Sequence, residues 1–253
     1  MSRTFKALEK AGRVVDASAS LAEEEALGPE ESGSDEKVLM YSGPTLTQVD
    51  EFLKLERRLK TAIPDKENRA ILFTSASGRE GTSTLIANLA VTMAKKVERR
   101  VLLVDANLRH PSLHNDFQGR RSPGLTDYLN EDVDLELIVN RTSVDGLDLI
   151  PAGSASDSVL HLLESPRLLK MISELASNYH YMLFDCAHAT EHGDANVLGS
   201  LTDGVIMVVQ SGFARKEVVN HAKEVLTRTG ATILGVVLNR RKFFIPGAVY
   251  KRL

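Results

Sequence analysis

The residues best suited to chemistry lie between Ala76 and Thr84, in the order Ala-Ser-Gly-Arg-Glu-Gly-Thr-Ser-Thr. Before them runs Ile71–Leu72–Phe73, an apolar stretch with the length and flanks of a buried strand. After them Leu85, Ile86, Leu89, Ala90 and Met93 recur at the spacing of one helix face. Gly78 and Gly81 permit backbone angles closed to other residues. Strand, Gly-rich loop and helix start form the geometry in which backbone N–H groups and a helix dipole hold phosphate. The full phosphate-loop pattern is Gly, four residues, Gly, Lys, then Ser or Thr. Here Ala76 takes the first glycine's place, Gly81 the second's, and Ser83 is the hydroxyl placed to reach Mg²⁺. Gly78, Arg79, Glu80, Gly81, Thr82, Ser83 and Thr84 are thus the candidate nucleotide-binding residues, with ATP or ADP and Mg²⁺ as the expected cofactors.

Thr82 stands where the pattern has lysine. A lysine there sets a full positive charge against the terminal phosphates, and a threonine does not. Each charge-assisted hydrogen bond lost is worth roughly 1.5–3 kcal/mol. Removing one preorganised donor at a developing charge costs about 10²–10³ in rate. Backbone amides and Ser83 still suffice for weakened nucleotide binding, whereas efficient phosphoryl transfer is not expected. Arg79, inside the loop, is the nearest substitute charge in the sequence.

Two acidic strand ends complete the candidate site. Val101–Pro111 reads VLLVDANLRHP, and Asp105 leaves a buried strand. Tyr181–Ala187 reads YMLFDCA, with Asp185 in the same relation to its strand. In a phosphate-loop site such carboxylates hold Mg²⁺, directly or through water, or position attacking water. Asp105 and Asp185 are therefore the candidate catalytic residues and, with Ser83, the candidate Mg²⁺ ligands. Cys186 reads as a small core residue, because no activating partner is identifiable. His188 and His192, with Glu191 and Asp194, form an H-x₃-H cluster that lacks a third ligand at diagnostic spacing.

The elements that must position these groups alternate along the chain. Strands are expected at Arg100–Asp105, Gly146–Ile150, His180–Asp185, Gly204–Gln210 and Thr232–Asn239, besides the one before the loop. Helices are expected at Thr45–Ile63, closed by Pro64, at Pro166–Ser177 and at Lys216–Thr229. Such alternation predicts an α/β fold, a doubly wound and mostly parallel sheet with helices on both faces. Ligands of such sheets bind beyond the strand carboxyl ends, where Asp105 and Asp185 fall.

The domain organisation follows from composition. Met1–Val15 carries Phe5, Leu8, Ala11 and Val15 at helical spacing with Arg3, Lys6, Lys10 and Arg13 between them. It reads either as a basic amphipathic helix for a membrane surface or partner groove, or as a helix docked on its own domain. Residues 16–44 read as an acidic disordered linker, residues 45–240 as the nucleotide-type domain, and residues 241–253 as a basic tail. The 253 residues are 43% apolar and 26% charged, with net charge −3. That balance provides no basic field for nucleic acid. One cysteine leaves no internal disulfide and suits a reducing compartment. The first residues show no apolar h-region of a signal-peptide kind, and no apolar run approaches the roughly 20 residues that span a bilayer. A cytoplasmic location is expected, peripheral to the membrane only through a partner or the N-terminal segment.

The order of these motifs resembles the bacterial tyrosine kinases of capsule and exopolysaccharide systems, within the MinD/ParA-like branch of P-loop ATPases. The resemblance covers roughly Thr47 to Asn239. Val101–Pro111 is similar to that family's second nucleotide motif, a strand followed by Asp-x-Asp-x-Arg and proline. PGLTDYL at Pro123–Leu129, LIPAG at Leu149–Gly153 and LLESPRLLKMISEL after it resemble segments that division and partition ATPases lack. GVVLN at Gly235–Asn239 also fits, and the resemblance implies that Asn239 contacts adenine. It further implies a Glu-x-x-Arg-x-x-Arg assembly pattern before the first strand, which Glu51 and Arg57 match while Lys54 replaces the first arginine. A homo-oligomer and a partner, the cytoplasmic part of a membrane polysaccharide co-polymerase, are implied in the same way.

The departures from that family coincide. Thr82 replaces the lysine, Asn107 replaces the second aspartate, and Ala187 and His188 stand where two prolines are expected after Asp185. The family's C-terminal tyrosine cluster is reduced to Tyr250. Together they lead to the expectation of a kinase fold with much reduced or absent kinase activity, regulating polysaccharide assembly. Two rivals remain: an active tyrosine autokinase in which Arg79 or another subunit replaces the lysine, and a MinD-type positioning ATPase.

Overall fold

The structure, a computed structural model, describes residues 14–16 and 46–240. Eight strands form one sheet in the order β1-β8-β7-β2-β6-β3-β5-β4. They are β1 (Val14–Asp16), β2 (Arg69–Ser75), β3 (Val101–Asp105), β4 (Asn140–Arg141), β5 (Leu147–Ile150), β6 (Tyr181–Asp185), β7 (Gly204–Gln210) and β8 (Ile233–Asn239). All neighbours pair in parallel except β4 and β5, which are antiparallel. The six expected strands are present to within about two residues at each end. Two short edge strands are additions.

β1 corrects the reading of Met1–Val15 as helical through its last residues. Val14 and Val15 pair in parallel with Val236 and Val237. Consecutive β-branched residues fit a pleated ladder better than a helical turn. The rest of that segment, the linker beyond Asp16 and the basic tail lie outside the described residues.

Central strands are buried on both faces, and alternation divides their side chains between two cores. On one face Ile71 and Phe73, Leu103, Leu183, Ile206 and Val208 pack against two helices. These are α1 (Leu46–Ala62), through Phe52, Leu55 and Leu59, and α2 (Thr82–Val97), through Leu85, Ile86, Leu89 and Met93. On the other face Leu72, Leu102, Val104, Phe184, Val205 and Met207 meet the remaining long helices. Those are α7 (Pro166–Ala176), α8 (Asp194–Leu201) and α9 (Lys216–Arg228). Between them lie four single-turn helices: α3 (Leu113–Asp116), α4 (Leu125–Leu129), α5 (Leu135–Ile138) and α6 (Val159–Leu163). α7 begins where the sequence signals it, with Ser165 Oγ accepting from Arg167 N and Pro166 in the first turn.

No helix among the described residues is long and apolar enough to cross a membrane.

Candidate nucleotide and Mg²⁺ site

Sheet order brings the site together. β2, β6 and β3 are adjacent, and their register sets Phe73 beside Asp185 and Asp185 beside Asp105. The phosphate loop leaves β2 two residues beyond Phe73, so one sheet edge carries both carboxylates and the start of α2. Gly81 caps that helix with φ 82°, in the left-handed region, where a Cβ would lie 2.6 Å from Asn239 Nδ2. Arg79 also has positive φ, at 65°, and is exposed.

The loop is held by groups from three strands. Glu80, 1% exposed, accepts from Ser77 N and Gln210 N, each at 2.8 Å. Burial pushes its carboxyl pKa up, against those bonds. Asn239 Nδ2 donates to Glu80 O at 2.8 Å and Gly81 O at 3.4 Å, while its Oδ1 accepts from Arg240 N. Asn239, which the resemblance places against adenine, braces the phosphate loop through these bonds. The side chain of Glu80 is a brace of the same kind. On the opposite side the segment after β6 is tied to the loop. Thr74 Oγ1 donates to Ala187 O, and Ala189 N donates to Ser75 O. Thr190 Oγ1 donates to Ala76 O.

The buried oxygens facing this edge are under-satisfied. Asp185 is fully buried, and neither of its carboxylate oxygens has a hydrogen-bond partner. Ser83 lies near enough to favour its charged form without forming an aligned hydrogen bond. Asp105 accepts from Ser112 N and Leu113 N through Oδ2, each at 3.1 Å, and its Oδ1 has no partner. Desolvation pushes the Asp105 pKa to about 7, while its backbone hydrogen bonds pull the other way. Desolvation and then the neighbouring Asp105 push Asp185 well up. Thr82 Oγ1, on a residue only 8% exposed, is also unpartnered. Native interiors rarely leave such groups orphaned, so each points to an absent partner. Two carboxylates and a serine hydroxyl are hard oxygen donors, which fit Mg²⁺. Gly78 and Thr84 are exposed and Ser83 half-buried on the same loop and helix turn.

Several site contacts carry no local sequence signal. Arg109 Nε and Nη2 form a bidentate pair with Asp194 Oδ2 and Oδ1, at 2.7 and 3.0 Å. This ties the segment after β3 to the start of α8. The Thr74 and Thr190 straps join residues more than a hundred positions apart. His188 lies against the loop, 3.6 Å from the place of a Cβ on Gly78, and its Nε2 pairs with Glu191 Oε2 at 2.6 Å. Among the described residues no cluster of three or more His, Cys, Asp or Glu could hold a metal. Cys186 is buried with its thiol pKa pushed well up, as befits a core residue.

A phosphate loop on a central strand, flanked by two acidic strand ends on a parallel sheet, defines a P-loop ATPase fold. In agreement, residues 68–229 match the family model described as AAA domain. The chain is 30% identical to tyrosine-protein kinase YwqD of Bacillus subtilis, over 81% of this chain and 86% of that protein. It is 31% identical to tyrosine-protein kinase CpsD of Streptococcus agalactiae, over 69% of this chain and 76% of that one. The crystal structure of the chimerical protein CapA2B2 superposes with a TM-score of 0.75 at 28% identity, covering 80% of this chain and 88% of that one. The chain belongs to the bacterial tyrosine-protein kinase family of P-loop ATPases.

Proposed function

We propose that this chain is a nucleotide-responsive regulator with the fold of its family and a strongly weakened phosphoryl-transfer step. It would act in exopolysaccharide or capsule synthesis, on the cytoplasmic part of a membrane polysaccharide co-polymerase. The observation that carries the reading is Thr82, a buried, unpartnered hydroxyl where the family pattern places a charge. Everything else the cradle needs is present: Gly81 in the left-handed region, the opening N–H groups of α2, Ser83, and two orphaned carboxylates.

Ser83, Asp105 and Asp185 would hold Mg²⁺, which when bound supplies positive charge to the phosphates. Asp105 keeps one oxygen on the amides of Ser112 and Leu113, and so presents the other in a fixed direction. Glu80 and Asn239 hold the loop shape from behind. Asn107 Oδ1 accepts from His110 N, and as an amide it takes no proton from a substrate hydroxyl. Assembly into a homo-oligomer through the exposed side of α1, with Glu51 and Arg57, belongs to the same proposal.

Incubating purified full-length protein with labelled ATP and Mg²⁺, alone and with the cytoplasmic part of its co-polymerase, tests the reading. The expected result is no phosphotyrosine above that of Asp105→Ala. Phosphotyrosine that forms in the wild type and disappears in Asp105→Ala would overturn it in favour of an autokinase.

A further inference from the structure

Resting on that reading of the site as a nucleotide cradle, we propose that Arg240 is a phosphate-binding residue. From the end of β8 it carries to the start of α2 a positive charge that the loop lacks at Thr82. The ligand class is a nucleoside di- or triphosphate, met on the flank away from the candidate Mg²⁺ ligands.

Arg240 directly follows β8 and is fastened to the phosphate loop twice. Asn239 Nδ2 donates to Glu80 O and Gly81 O, while Asn239 Oδ1 accepts from Arg240 N at 2.9 Å. Farther out, Arg240 Nη1 donates to Gln210 Oε1 at 3.2 Å, and Gln210 N donates to Glu80 Oε2. Backbone and guanidinium are thus both tied to residues that shape the loop. A Cβ on Gly81 would lie 3.5 Å from Arg240 Nε and from Nη2, so the cation stands against the residue that caps α2.

That placement is electrostatically adverse until an anion joins it. The opening N–H groups of a helix carry about half a positive charge, which favours phosphates and carboxylates and disfavours cations. α2 has no acidic residue in its first turn. Glu80, the carboxylate of the loop, faces the amides of Ser77 and Gln210. Among the described residues the Arg240 guanidinium bonds to the neutral Gln210 amide. At the same helix end Thr82 Oγ1, on a residue 8% exposed, is buried without a partner. A phosphate would satisfy the hydroxyl, the helix terminus and the cation together.

Sheet order sets the side from which the charge arrives. β7 and β8 lie on one side of β2, and β6 and β3, with Asp185 and Asp105, lie on the other. Arg240 therefore approaches from the flank opposite the two carboxylates. A charge there holds the nucleotide before and during transfer alike, which raises affinity without restoring the chemical step.

Titration of the full chain with a fluorescent ADP analogue and Mg²⁺, at low and high salt, tests the assignment. Arg240→Gln is expected to bind about tenfold more weakly than the wild type and to lose affinity less steeply as salt rises. Arg240→Lys should recover part of the loss. In the wild type, phenylglyoxal modification of Arg240, followed by mass spectrometry, is expected to slow several-fold when ADP and Mg²⁺ are present. Equal affinity in wild type and Arg240→Gln, or modification that saturating ADP does not slow, overturns the role of Arg240 and leaves the nucleotide site standing. Weaker binding with the salt dependence of the wild type would make Arg240 a brace of the loop, and overturns the proposal too. A wild type that binds no nucleotide overturns the site itself. The modification rate decides the point in the native protein even if a variant does not fold.

Discussion

Asp185 has no exposed surface and no hydrogen bond, and another carboxylate, Asp105, stands beside it on the adjacent strand. Without a cation the pair is held partly protonated, with Asp105 pushed to about 7 and Asp185 well above its ordinary range. In the unfolded chain both ionise near pH 4. Below that pH both states are protonated and the full stability is present. Between about pH 4 and 7 the folded protein keeps protons that the unfolded chain releases, so stability falls as pH rises through that window. Asp105→Asn removes one of the two charges. Thermal melts without Mg²⁺ should place this variant above the wild type at pH 8 by about 1 kcal/mol or more, which is roughly 2–4 °C. The gap should close toward pH 4. A wild-type melting temperature independent of pH from 4 to 8 would refute the pairing. These pKa shifts were not legible in the sequence. The two aspartates could be picked out as strand ends, but their adjacency depends on β6 inserting between β2 and β3, a non-local pairing. Thr82 was legible at once, because a motif position is a matter of spacing alone.

Single elements explain why the loop keeps its shape without its lysine. The segment after β6 is strapped to β2 and the loop by the Thr74 and Thr190 hydroxyls, and β7 and β8 reach it through Gln210 N and Asn239. Arg109 and Asp194 perform the same service for the segment after β3. Asp194 is 1% exposed, so Arg109→Ala leaves its carboxylate buried and uncompensated. Chemical denaturation should show a loss of about 3 kcal/mol, and Arg109→Met with Asp194→Leu should recover much of it. An unchanged midpoint in Arg109→Ala would mean that the pair is no strut. Helices and strands of this kind were largely readable, since their periodicity is local. The straps were not, because a threonine or an arginine gives no sign of a partner a hundred residues away. Asn239 shows the other limit: the resemblance places it against adenine, and nothing in the sequence signals that its amide also donates to the carbonyls of Glu80 and Gly81.

At the scale of the molecule, one mostly parallel sheet between two helical layers brings the candidate site residues to the carboxyl ends of its central strands. Alternating burial assigns each central strand residue to one core or the other, and this fixes the register that sets Phe73, Asp185 and Asp105 side by side. The architecture was legible because apolar runs of five to seven residues alternating with amphipathic helices admit few other folds. The edge strands were harder: Asn140–Arg141 is too short to carry a pattern, and Val14–Asp16 lies in a stretch whose earlier residues have helical spacing. What the whole arrangement amounts to is a P-loop ATPase fold with a threonine at the lysine position of its loop, which the proposed function reads as a nucleotide cradle short of one charge. The most direct test follows a single sample of full-length protein with Mg²⁺, measuring fluorescent diphosphate binding and phosphate release from ATP side by side. Saturable binding with phosphate release no faster than that of Asp185→Ala is the predicted result. Phosphate release well above that control would contradict the account, since the hydroxyl of Thr82 would then suffice where a lysine was held to be needed.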